Sequence, residues 1–491
     1  MINMNYSKFH ELSQQANMIP LTLEIEGDID TPISLFKKLA QDKYSFLLES
    51  VEGGNKWGRY SFIGRNPLMT IKSFGDSVII NKDNIVTEKQ GNPLIIIKNI
   101  LEEFRTPKMD NLPDLIGGAV GYVGYDMVRK FENLPNINDD DTQFPDMHLI
   151  LTDEIVVYDH VKQKILIIKN VLIKNGNTEE LYNDGLSRLN EIKNEILENK
   201  LNTDQSLKSA LGKINYSSNV SKEEFVQKVL KAKEYIRNGD IFQVVLSQRI
   251  QADTGIHPFT AYRALRSINP SPYMYYIDYG DYQIVGSSPE LLVKVKDGIV
   301  ETCPIAGTRP RGRDKEEDEN YAQELLNNEK EKAEHLMLVD LARNDIGKIA
   351  KFGTVEVNQF MEVQKFSHVM HLVSNVIGQV REGNGMFESF ISCLPAGTLS
   401  GAPKVRAMEI IDELENRKRG IYGGAVGYFG FNGNMDTCIT IRTIVFKDNT
   451  AYIQAGAGIV ADSDPESEYE ETLRKAMALM ETLNKVEREI S

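Results

Sequence analysis

Two segments in opposite halves of the chain nearly repeat one another: GGAVGYVGYD at residues 117–126 and GGAVGYFGFN at residues 423–432. In both, glycines alternate with small and aromatic residues. That pattern suits strands at which another backbone or a ligand approaches closely. Two independent glycine-rich strand starts would look the same, and two copies do not make a repeat protein. Elsewhere YSFLLES (44–50), SFIGR (61–65) and DEIVVYDHVKQKILIIKNVLI (153–173) read as strands, the last as a hairpin. PLIIIKNILEEF (93–104) and EELYNDGLSRLNEIKNEILEN (179–199) read as helices. The mixture predicts an α+β protein with large antiparallel sheets flanked by helices.

The first ~200 residues form one α+β region, and the polar stretch LNTDQSLKSALGKINYSSNV (201–220) is the linker candidate before residues 221–491. Ser221 and Glu224 make a capping box that opens a helix. Beyond it the pattern predicts a strand IFQVVLSQR, a helix around 257–267 and a run of strands from YMYYIDYG to IVETCPI. A long charged helix is expected over 318–346, and a terminal helix opens with Pro465 after Asp464 as N-cap.

A net charge of −15 argues against a nucleic-acid or anionic-membrane partner, so an anionic substrate would need a local basic or metal-bearing pocket. The N-terminus lacks the basic-then-apolar pattern of a signal peptide, and no apolar run approaches the ~20 residues of a membrane span. Cys303, Cys393 and Cys438 are widely spaced and suit a reducing cytoplasm rather than a disulfide or zinc framework. No nucleotide-binding glycine motif follows a strand.

Candidate chemistry concentrates in the C-terminal half. Glu331/Glu334 and Glu468/Glu471 are two Glu-x-x-Glu steps, each presenting two carboxylates on one helix face. Converging, they would suit a hard cation such as Mg²⁺; apart, they are ordinary solvated glutamates. PIAGTRPRGR (304–313) offers amides and positive charge to an anion, or is a solvated basic loop. PAGTLSGAPK (395–404) runs into a helix whose free N–H groups could hold a carboxylate, or is a plain loop-to-helix turn. His371 lies among apolar residues as a core histidine or a catalytic one. In MDTCITIRTIVF (435–446), strand alternation puts Cys438, Thr440 and Arg442 on one face and Ile439 and Ile441 on the other. Lys475 stands one turn after Glu471, at ion-pair spacing.

The order PIAGT, KEKAEHLMLVDLARNDIG, SHVMHLVS, PAGTLSGAPK, RGIYGGAVGY, TIRT and GAGIVADSDPESEYEET resembles the chorismate-utilising enzymes over about residues 240–480. The resemblance implies sheets packed as a sandwich and a Mg²⁺-dependent reaction on chorismate. By it, Glu334 and Glu471 would bind the metal, with Glu331 and Glu468 in support. Tyr422 and Arg442 would hold the enolpyruvyl carboxylate. Gly307, Thr308, Thr398, Gly456, Ala457, Gly458 and Lys475 would line the pocket. Glu290, in GSSPE, matches the general acid, and His371 the residue of the later elimination.

Within the family, members that add water resemble one another in a lysine where this chain has Gln243. Members that form aminodeoxychorismate typically read PIKGT, where this chain has Ala306. Ammonia is therefore the expected nucleophile and anthranilate the expected product, with aminodeoxychorismate formation and a non-catalytic tryptophan-sensing protein as alternatives. None of the three cysteines has an amidotransferase setting, and the chain ends soon after the last motif, so a separate glutamine amidotransferase subunit is expected. LLES, GRYSFIG and NPSPYMYY look like the family's tryptophan-binding elements, implying that Glu49, Ser50, Pro272, Tyr273 and Met274 bind L-tryptophan as inhibitor. Read alone, LLES is a strand end.

Overall fold

A computed structural model describes residues 2–40, 43–50, 58–174, 177–200, 213–366 and 369–490. The two glycine segments turn out to be neighbours. Gly118–Val123 and Ala425–Gly430 pair antiparallel, with Gly121 opposite Gly427. A Cβ on Gly121 would stand 2.1 Å from the His148 carbonyl oxygen, and one on Gly427 2.1 Å from that of Asp436. Only glycine lets these backbones come so close.

The pair lies inside one of two 12-stranded sheets, each with strands from both halves of the chain. The first sheet runs Met18–Glu26, Lys164–Leu172, Glu154–Asp159, Tyr60–Gly64, Ser45–Glu49, Tyr273–Asp278, Tyr282–Ser288, Thr443–Lys447, Thr450–Ile459, Gln243–Asp253 and Tyr216–Ser218, with Gly401–Ala402 on Gln243–Asp253. The second runs Ile305–Pro310, Val369–Gln379, Ile299–Thr302, Leu291–Lys296, Met435–Ile439, Ala425–Gly430, Gly118–Val123, Met147–Thr152, Met69–Phe74, Ser77–Lys82 and Ile85–Gln90, with Glu356–Lys365 on Val369–Gln379.

Phe46, Tyr122, Ile150, Tyr275, Ile284, Val426 and Val445 form a core between the sheets. Helices cover the outer faces: Pro465–Ile490 and Thr178–Glu198 on the first, Pro93–Glu102 and Glu329–Gly347 on the second. This is the expected α+β sandwich with flanking helices. No described helix is long and apolar enough to cross a membrane.

Local signals set several element starts. Ser221 Oγ accepts from Glu224 N at 3.2 Å while Glu224 Oε2 accepts from Ser221 N at 2.8 Å, completing the capping box of Lys222–Arg237. Asp464 Oδ1 accepts from Ser467 N at 2.9 Å ahead of Pro465. The single charged helix expected over 318–346 is instead two, Lys315–Asn327 and Glu329–Gly347. Asn328 divides them, capping the second by accepting from Glu331 N at 3.1 Å. Of the expected linker, residues 201–212 lie outside the described residues, and Tyr216–Ser218 is an edge strand on Gln243–Asp253.

The stretch 435–446 is not one strand. Met435–Ile439 belongs to the second sheet and Thr443–Lys447 to the first, and Arg442 between them takes φ 51°. Cys438 and Arg442 therefore do not share a strand face. The partner chain segment makes the same passage, from Tyr282–Ser288 in the first sheet to Leu291–Lys296 in the second, across Pro289–Glu290. Gly286 pairs with Thr443 before the crossing and Leu291 with Cys438 after it. One antiparallel ribbon thus changes sheets, and Glu290 and Arg442 both sit at its kink.

Candidate active site

Glu290 is oriented by Thr398, whose hydroxyl donates to its Oε1 at 3.0 Å. Burial pushes the Glu290 carboxyl up to about 7, only partly offset by Thr398 and by the positive charge of Lys475. Near neutral pH it therefore exchanges a proton readily. Burial also lowers the Arg442 guanidinium, while Tyr422 and Glu471 hold it up. Arg442 thus feels the charge of both the tyrosine expected to bind substrate and one of the expected metal ligands.

Tyr422 is fixed from behind by Arg419, whose guanidinium lies 5.7 Å from its ring centroid and 4.7 Å from that of Tyr125. Arg419 is buried, pairs with buried Glu415 at 2.7 Å and donates to Leu399 O at 2.6 Å and Val245 O at 2.7 Å. It braces Tyr422, the Thr398 turn and the Gln243 strand together. Nothing local in NRKRG marks which basic residue turns inward.

His371, in Val369–Gln379, lies against the Ile305–Pro310 strand; Ser367 and His368 of its motif are outside the described residues. Its Nδ1 is 2.7 Å from Gly307 O and 3.2 Å from Thr308 Oγ1. A carbonyl can only accept, so Nδ1 carries the proton and Nε2 of the neutral ring is left with a lone pair. Burial lowers the imidazole pKa, opposed by the Gly307 bond and reinforced by Arg442. Such a ring is a base rather than a cation at neutral pH.

The two glutamate pairs lie on helices that belong to different layers. Burial and then Glu331 raise the Glu334 carboxyl, with Glu471 adding to the effect. Burial also raises Glu468, with Glu471 again contributing. Lys475 Nζ pairs with Glu471 at 2.7 Å and donates to Gly456 O at 3.0 Å; Arg309 pairs with Glu331 at 3.2 Å. These are hard oxygen donors at mutually unfavourable charge, which fits a divalent cation of the Mg²⁺ type. Among the described residues no three His, Cys, Asp or Glu side chains gather closely enough to cage a metal unaided. A cation there needs oxygens from elsewhere.

The glycine strand forms the floor. A Cβ on Gly456 would stand 2.8 Å from Tyr422 Oη, and one on Gly458 2.5 Å from Gln243 Nε2, with Ala457 between them buried. Gln243 Oε1 is buried and has no hydrogen-bond partner in the structure. It is a bare acceptor where a lysine would place a cation. Of the expected residues, Tyr422, Gln243 and Lys475 meet this floor, Lys475 through its bond to Gly456 O. At PAGTLSGAPK the contribution seen is the Thr398 hydroxyl, while Lys404, at the helix start, pairs with Asp345 at 2.6 Å.

A separate cavity of about 330 Å³ is lined by Glu49, Ser50, Pro272, Tyr273 and Met274, together with Arg59, Tyr60, Asp436 and Cys438. Glu49 is not the free carboxylate expected. Both its oxygens bond Arg266, at 3.0 and 3.2 Å, and Tyr262 donates to Oε2 at 2.5 Å. Arg266 and Tyr262 lie on the helix Pro258–Ile268, more than 200 residues from Glu49, so local sequence carries no sign of the pairing. The unanticipated acids of the cavity are Asp114 and Asp436, the latter bonded by Tyr273 at 3.1 Å and paired with Lys294 at 3.4 Å.

Residues 45–481 match the family described as chorismate binding enzyme. The anthranilate synthase component 1 of Acetivibrio thermocellus is 58% identical over 477 residues, 96% of each chain. That of Aquifex aeolicus is 47% identical over 492 residues, 98% of each chain. The crystal structure of anthranilate synthase component I from Streptococcus pneumoniae TIGR4 has a TM-score of 0.76 at 40% identity, covering 93% of this chain and 98% of that one. The menaquinone-specific isochorismate synthase of Escherichia coli, at 18% identity and TM-score 0.71 over 97% and 99% of the two chains, shares the fold. With a family match over residues 45–481 and relatives of 47–58% identity along nearly the whole length, this chain belongs to the chorismate binding enzymes.

Proposed function

We propose that this chain is the synthase subunit that converts chorismate and ammonia to anthranilate, pyruvate and water. The observation that carries this reading is the 58% identity to an anthranilate synthase component 1 over 96% of both chains. Ammonia adds at C2 of the ring while the 4-hydroxyl leaves as water, protonated by Glu290. The unpartnered Gln243 Oε1 suits an N–H donor and cannot deprotonate water as a lysine would. His371 Nε2 then takes the C2 proton. The C–H electron pair completes the aromatic ring, the C3–O bond breaks, and the enolpyruvyl group gains a proton at its methylene carbon to become pyruvate.

Arg442 and Tyr422 hold the enolpyruvyl carboxylate, a natural use of a fork of guanidinium donors. Mg²⁺ held by Glu334 and Glu471, with Glu331 and Glu468 beside them, would supply positive charge against the ring carboxylate. A separate glutamine amidotransferase subunit supplies the ammonia; the designation component 1 among the relatives supports a second component. The 330 Å³ cavity takes L-tryptophan as inhibitor, its Tyr273 and Met274 offering an indole apolar contact. Three unpaired thiols suit the cytoplasm.

Purified chain given chorismate, Mg²⁺ and ammonium should develop anthranilate fluorescence, and added tryptophan should suppress it. Folded protein that yields no anthranilate under these conditions would overturn the reading.

A further inference from the structure

The wall of the 330 Å³ cavity and two groups that act on chorismate belong to the same kinked ribbon. Ser288 stands where that ribbon leaves the first sheet, and it is fully buried. Its hydroxyl donates to Ile439 O at 2.6 Å, and its Oγ is 3.5 Å from Glu290 N. Ile439 N returns a bond to Glu290 O at 3.0 Å, and Ser287 N donates to Arg442 O at 3.0 Å.

On the other side, Ser288 pairs across the sheet with Tyr273, and Ser287 with Met274. Tyr273, Met274 and Cys438 all line the cavity. Two links therefore lead from the cavity wall to the backbone of Glu290, one through Ser288 and one through Ile439, which follows Cys438, and a single link leads to that of Arg442 through Ser287. Ser287, Ser288, Cys438, Ile439 and Met274 are all buried. Close-packed groups of this kind transmit a displacement rather than absorb it.

We propose that Ser288 is a positioning residue that ties the cavity wall to Glu290, so that filling the cavity stops the reaction by displacing that carboxyl. The proposal rests on the reading of cleft and cavity given above. It explains how an inhibitor can act without entering the chorismate cleft: its differential binding to two ribbon positions becomes a change in turnover.

Ser288→Ala leaves the cavity-lining side chains in place, so calorimetry should find tryptophan binding within about threefold of the unaltered enzyme, well inside the ~5–150-fold range of allosteric coupling. Two effects should follow. The ammonia-dependent kcat falls by about tenfold, while KM for chorismate stays within about threefold, as for a group aligned only in the transition state. Inhibition at full tryptophan occupancy weakens from the ~5–150-fold typical of coupled sites towards none. Undiminished inhibition of Ser288→Ala at full occupancy, or an unaltered kcat, overturns the proposal.

Hydrogen exchange on the unaltered enzyme tests it without a variant. Saturating tryptophan should change protection at the amides of Ser287 and Ile439, and unchanged exchange at both overturns it. An unaltered enzyme that binds no tryptophan overturns both this proposal and the reading of the cavity. One that binds and is inhibited equally with alanine at 288 overturns the proposal alone.

Discussion

Burial tunes Glu290 and His371 in opposite directions, and each shift suits its proposed role. It keeps a proton on the acid to about pH 7 and keeps the imidazole neutral. At constant free ammonia, kcat should hold below about pH 7 and fall above it as Glu290 ionises. Glu290→Gln should lower kcat by ~10²–10⁴-fold and remove that descending limb. A kcat profile flat from pH 6 to 8.5 would refute the assignment. The stability sign follows from the same raised pKa. The contribution of this carboxyl is complete below its ordinary 4.5 and is lost as pH rises through about 7. Glu290, His371, Tyr422 and Arg442 stood out in the sequence as candidates because their motifs keep a fixed order and composition. The commitment of Glu49 to Arg266 and Tyr262 was not, since such pairing is made by the fold alone.

Helix and strand positions were largely legible, because capping boxes and periodicity act locally: Lys222–Arg237 starts where Ser221 and Glu224 require. The failures are where tertiary demands override period. Alternation through 435–446 is real, yet the chain must leave one sheet for the other there, and Arg442 takes the left-handed turn that permits it. The near-repeat read as two strands, but nothing local said that they pair with each other. Arg419 shows the same non-local logic at the junction of three elements. Arg419→Met leaves Glu415 buried and unpaired, and should cost ~3–5 kcal/mol, read as a lower urea midpoint. Tyr422 loses its support in the same variant, so KM for chorismate should rise in protein that remains folded. A midpoint unchanged within error would show that the buried pair contributes little.

The helix bearing Glu334 packs against the second sheet, and the helix bearing Glu471 against the first. The glutamate pairs therefore belong to different layers, and whatever sits between them joins the two outer faces of the sandwich. Each layer supplies one pair of glutamates, with Glu331 and Glu471 each already paired to a cation, and the described residues supply no complete cage. Mg²⁺ should bind weakly to the free protein and much more tightly once the ring carboxylate of chorismate adds its oxygens. Binding to the folded state alone raises stability by RT ln(1 + [L]/Kd), about 2.7 kcal/mol at a hundredfold excess over Kd. Thermal unfolding should therefore respond little to Mg²⁺ or chorismate singly, and shift upward when both are present. Glu334→Gln and Glu471→Gln should each abolish the joint shift, since each removes one layer's ligand, while the folded Glu334→Gln apo-protein keeps or slightly gains stability from the lost repulsion. A joint shift that survives in either variant would mean that the metal is held elsewhere.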